Sequence, residues 1–122
     1  LQTIKDIRNF VEIAQEANWN SGVSINTAHV HAVCDDKSLN FKWESGFART
    51  QDLRAVKYFN YAMMGWNRTM INKLRKGQLF DHNTKLIESS KWSSFLLKNQ
   101  YDMELIKMLS KIAPDQGLKK EK

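Results

Sequence analysis

The sequence carries a single cysteine, Cys34, in 122 residues. No disulfide can form within the chain, so a reducing compartment, cytoplasm or nucleus, is the expected setting. It has no apolar run approaching the roughly 20 residues of a membrane-spanning helix, and no basic, apolar, small-residue leader marks it for secretion. Because it begins at Leu1 instead of methionine, a processed chain or an excised fragment is expected. Phosphate-cradling glycine loops, zinc-finger cysteine pairs and the G-x-S-x-G elbow are all missing, so no enzyme class is indicated. Asn67-Arg68-Thr69 fits the glycosylation triplet, but without a secretion signal it reads as coincidence.

The most informative absence is of acid. Between Asp52 and Asp81 there is no carboxylate, while Arg54, Lys57, Arg68, Lys73, Arg75 and Lys76 supply six positive charges. Tyr58, Phe59, Tyr61 and Trp66 are interleaved with them. Cations neutralise phosphates and aromatic faces stack on bases, so this stretch is a candidate surface for an anionic polymer. A face selected for solubility gains from mixed charge, and this one has no internal carboxylate to pair. The imbalance extends to the whole chain: residues 1–48 hold four basic and six acidic residues, and residues 49–122 hold fifteen and seven. Such asymmetry favours a directed encounter with an anionic surface, or head-to-tail self-association.

Read at 100° per residue, Val56, Phe59, Met63, Trp66, Met70 and Leu74 share one stripe, and Arg54, Lys57, Tyr61, Arg68, Asn72 and Arg75 the opposite one. This predicts a helix over residues 50–76, capped near Thr50 and Asp52 and stopped at Gly77. Gly65, inside it, implies close approach of another backbone or a ligand, or a kink. Thr3 and Asp6 form a capping-box pattern, and Ile4, Ile7, Phe10, Val11, Ala14 and Ala17 predict a first helix over about 4–18.

In 23–47, Ala28, Val30, Ala32 and Cys34 alternate, Asp35-Asp36-Lys37-Ser38 offers turn chemistry, and Leu39, Phe41 and Trp43 alternate again. This is a hairpin pattern, although 29–36 also reads as two helical turns. A third helix is predicted beyond Asp81 or Asn83, containing Leu86, Ile87, Trp92, Phe95, Leu96 and Leu97. A last one carries Tyr101, Leu105, Met108, Leu109 and Ile112, with Pro114 and Gly117 ending it. Trp19, Trp43, Trp66 and Trp92 are expected as core anchors.

The expected architecture is therefore mainly α. It is one helical domain over residues 1–113, a bundle of four or five helices with a β-hairpin around 28–43 as one reading of the insertion, and a basic tail over 114–122. The expected function is largely sequence-independent binding of nucleic acid, RNA slightly before DNA. Arg54, Lys57, Tyr61, Arg68, Asn72, Lys73, Arg75 and Lys76 are the contacting residues. The alternative is an assembly module that docks an acidic protein or forms a homo-oligomer. A third reading is a metal-dependent enzyme on His29 and His31, whose spacing places two imidazoles on one face of a strand with no third ligand fixed. No cofactor is expected.

Overall fold

The computed structural model describes residues 2–16, 18–46 and 49–112; the tail expected over 114–122 lies outside them. Among the described residues the order is α1 (Ile4–Glu16), β1 (Ser21–Ala28), β2 (Val33–Cys34), β3 (Lys37–Ser38), β4 (Val56–Trp66), α2 (Ile71–Arg75), β5 (Thr84–Glu88) and α3 (Gln100–Ile112). Single 3-10 turns occupy Thr50–Asp52, Arg68–Met70 and Lys91–Ser94. Helices and a mixed sheet share the fold, so the expected helical bundle is incorrect.

The sheet runs β4-β1-β5, with β1 antiparallel to β4 and parallel to β5. The predicted helix over 50–76 is replaced by an 11-residue strand and a short helical segment. Val56 and the aromatic Tyr58, Phe59, Tyr61 and Trp66 suit a pleated surface, and pairing with β1 outweighs the helical spacing that Met63, Met70 and Leu74 suggested. The predicted third helix is likewise replaced by β5 and the turn at Lys91–Ser94. Its serines are weak helix formers; Ser93 Oγ instead donates to the Ser90 carbonyl at 2.8 Å, and Ser89 and Ser90 hydrogen-bond to distant side chains. The hairpin envisaged over 28–43 shrinks to the β2–β3 ribbon, because Ala28 belongs to β1. Its turn residues Asp35 and Asp36 have φ of 47° and 61°, the left-handed pair that a two-residue hairpin loop requires and aspartate tolerates.

β1 is the centre of the molecule, with every residue from Ser21 to Asn26 buried. On one face, Gly22 lies opposite Gly65 of β4. A Cβ on Gly22 would sit 3.2 Å from the Phe10 ring, and one on Gly65 3.3 Å from the same ring and 3.4 Å from Trp19. The paired glycines thus form the slot that admits Phe10 of α1 and Trp19. The close approach read from Gly65 is by aromatic side chains instead of a backbone or ligand.

Farther along that face the core is polar. Ser24 Oγ donates to Asn60 Oδ1 at 2.6 Å, and Asn60 Nδ2 donates to Asn26 Oδ1 and to Ser89 Oγ, each at 2.7 Å. Asn26 Nδ2 donates to the Ser89 carbonyl at 3.1 Å. Among the described residues, no buried side-chain nitrogen or oxygen lacks a partner, the condition under which a polar core is tolerated. On the opposite face Val23 and Ile25 are buried; Met70, in the segment following β4, is also fully buried. Trp66 Nε1 donates to the Leu79 carbonyl at 2.7 Å and ties that segment back to the strand.

α1 is attached at its N-terminus. Asp6 N donates to Thr3 Oγ1 at 3.1 Å and Thr3 N to Asp6 Oδ2 at 3.0 Å, a reciprocal capping box. Ser90 Oγ donates to the same carboxylate at 3.2 Å. Burial pushes the Asp6 pKa up, but the hydrogen bonds from Thr3 and Ser90 outweigh it and hold the group below its usual range.

Candidate functional site

The candidate site centres on the middle of β4. The register of β1 against β4 jumps from Ile25 opposite Phe59 to Val23 opposite Met64, so residues 60–63 bulge opposite Ser24. Asn60 Oδ1 accepts from the Ala62 amide at 3.0 Å, and Met63 N donates to Ser24 Oγ at 2.9 Å, closing the bulge onto the polar core. At its apex Tyr61 has φ of 54°, a conformation uncommon for a bulky side chain and held here by its surroundings. The bulge re-aims Tyr61, as bulges on edge strands do. Its ring packs edge-on to Phe59 at 5.7 Å, and Phe59 packs edge-on to Phe80 at 5.5 Å.

Phe59 and Tyr61 are exposed, as is Tyr58 on the other face of the strand. A pocket of about 380 Å³ beside β4 is lined by Tyr58, Phe59, Asn60 and Tyr61 together with Phe95, Leu96, Lys98 and Asp102. β4 is at the edge of the sheet, and the Gln2 side chain donates to the Ala62 carbonyl there. Lys57, opposite Thr27 and two residues before Phe59, is exposed on the same face as that aromatic ring.

The eight sequence-predicted contact residues do not form one helical stripe. Arg54 precedes β4; its guanidinium donates to the Leu39 carbonyl at 2.9 Å, and its own carbonyl accepts from Asn40 Nδ2 at 2.8 Å. Lys57 and Tyr61 are on the strand, whereas Arg68, Asn72, Lys73, Arg75 and Lys76 lie beyond its far end. Lys73 is occupied: its Nζ is 2.7 Å from Asp81 Oδ2, and that carboxylate also accepts from Asn20 Nδ2 and the Asn83 amide. The Lys73 hydrogen bond, with those from Asn83 and Asn20, lowers the Asp81 pKa to about 2. Arg68, Asn72, Arg75 and Lys76 are exposed. Cationic groups therefore flank both ends of β4, with aromatic rings between them.

The histidines separate. His29 Nδ1 lies 3.2 Å from the Leu53 carbonyl, and the His31 ring packs edge-on to Phe41 at 5.0 Å. Among the described residues, no group of three His, Cys, Asp or Glu side chains could hold a metal ion. Trp43, expected in the core, is 62% exposed and packs on Phe41. Asn67 of the glycosylation triplet caps the turn at Arg68–Met70, accepting from the Thr69 amide at 3.0 Å and donating to the Trp19 carbonyl.

Sequence reasoning missed Phe59 as a surface residue and Phe80 altogether. The available signal was the density of aromatic residues in 56–66, four in eleven positions behind Val56, which favours a strand. No protein-family model, curated protein or solved structure matches the chain. No helix among the described residues is long and apolar enough to cross a membrane.

Proposed function

We propose that the protein binds single-stranded nucleic acid along β4. The observation that carries this reading is the exposed, edge-to-face Phe59–Tyr61 pair on edge strand β4, with the half-buried Phe80 packed against Phe59, because unpaired bases stack on aromatic faces at about 1–3 kcal/mol each. Lys57 and Arg54 at one end, and Arg68, Arg75 and Lys76 beyond the other, supply phosphate contacts; Lys73 is assigned to Asp81 instead. Lys98 lines the pocket itself. Duplex is disfavoured, because paired bases do not present their faces to aromatic rings. With its cysteine a free, exposed thiol, the chain suits a reducing compartment, cytoplasm or nucleus.

The test is a titration of labelled mixed-sequence single-stranded RNA and DNA, and of duplex DNA, at several salt concentrations. Phe59→Ala with Tyr61→Ala should weaken single-strand binding about tenfold or more at unchanged salt dependence. Arg68→Ala, Arg75→Ala and Lys76→Ala should each lower the salt slope by about 0.7. Loss of affinity on charge removal alone, with the aromatic variant unaffected, would reduce the surface to a nonspecific polyanion attractor. A second reading rests on the position of β4 at the sheet edge: an extended protein segment could add there as a further strand. In that case binding would survive in high salt and follow the partner's backbone amides.

A further inference from the structure

Two adjacent stripes of α3 are apolar. Met103, Ile106 and Leu109 are half-buried. Tyr101, Leu105, Met108 and Ile112 point outward; Tyr101, Met108 and Ile112 are 83%, 66% and 70% exposed, and no residue of the helix is fully buried. The outward residues recur with 4-3-4 spacing, the d-a-d-a order of a heptad seam. A 13-residue helix is at the threshold of stability in water without cover for its apolar face.

Charge selects the cover. In this register Glu104 and Lys111 both occupy g positions. When two such helices pair antiparallel, g positions face g positions, so Glu104 of each copy meets Lys111 of the other, twice over. The core layers are then Tyr101 on Ile112 and Leu105 on Met108. A parallel pair would place Glu104 against the apolar Leu109 and make no such match. Asp102 does not compete, because its carboxylate accepts from the Lys98 and Asn99 amides at the start of its own helix.

We propose that α3 is a self-association surface that pairs antiparallel with α3 of a second copy. The seam is short, about 20 Å at 1.5 Å per residue, and falls at the small end of specific interfaces, below about 1,200 Å². Association is therefore weak and concentration-dependent.

Sedimentation equilibrium of the intact chain from micromolar to about millimolar concentration tests this. The native chain should move from monomer to dimer, and Leu105→Asp with Met108→Asp should remain monomeric while keeping its near-UV spectrum. Glu104→Lys should raise the dissociation constant at least tenfold, and adding Lys111→Glu to it should restore the native value. A native chain that stays monomeric throughout overturns the proposal. So does a dimer that persists in the Leu105/Met108 variant, or a double charge variant that fails to recover.

Discussion

α1 and α3 are each 13 residues long and amphipathic. Each starts with a reciprocal side-chain cap, Thr3 with Asp6 and Asn99 with Asp102. Yet α1 buries Phe10 and Ala14 while α3 buries nothing completely. The difference is in what the sheet offers them. Gly22 and Gly65 open a slot that fits the Phe10 ring, and Ser90 reaches back to the Asp6 carboxylate. α3 has no counterpart to either. An amphipathic pattern states that a face needs cover; a complementary surface determines whether the chain provides it.

The contrast is sharpest in paired truncations. Phe10→Ala should cost about 3–5 kcal/mol in chemical denaturation, since the ring is buried and its slot cannot collapse onto a smaller side chain. Tyr101→Ala, at concentrations where the protein is monomeric, should change stability by less than about 0.5 kcal/mol. A comparable loss at both positions would remove the distinction between the helices.

The polar half of the core should be nearly as sensitive. Asn60→Ala removes the donor to Asn26 Oδ1 and the acceptor for both the Ser24 hydroxyl proton and the Ala62 amide, and should destabilise by about 3 kcal/mol. Because the bulge depends on the same side chain, it should also weaken binding through Tyr61 even where the protein remains folded. Filling the slot by Gly65→Val should cost about 1–3 kcal/mol through overpacking against Phe10 and Trp19; a gain in thermal stability would show that the rings can yield.

The smallest effect is one of pH. The folded Asp81 pKa, about 2, lies below the ordinary carboxylate value of 3.8. The group therefore contributes stability that is complete above the unfolded value and lost as pH falls through the folded one. Thermal unfolding followed from pH 5 to pH 2 should show this loss, and Asp81→Asn should flatten that part of the profile. Asp6, also lowered, acts in the same direction, so some acid sensitivity should persist in the Asp81→Asn variant.

The two long helices were legible in the sequence because their signals are local. A capping pair three residues apart and an apolar repeat within four turns need nothing distant to operate. The basic, acid-free stretch and its aromatic residues were legible as composition, but their arrangement was not. Phe59, placed on a helical core stripe by its spacing, stands exposed on a strand, and Lys73, assigned to phosphate, is bound to Asp81.

Only the tertiary structure decided the sheet. Ser24 and Asn26 look like loop residues until Asn60 and Ser89, 29 residues apart from each other, supply their hydrogen bonds. A serine or asparagine carries no local sign of whether its partner will be water or another side chain. The same holds for Gly22 and Gly65, which resemble helix breakers one at a time and become a binding slot for Phe10 once β1 and β4 lie side by side. Local propensity acts over a few residues, whereas the satisfaction of a buried polar group and the fit of a ring into a slot depend on distant segments meeting.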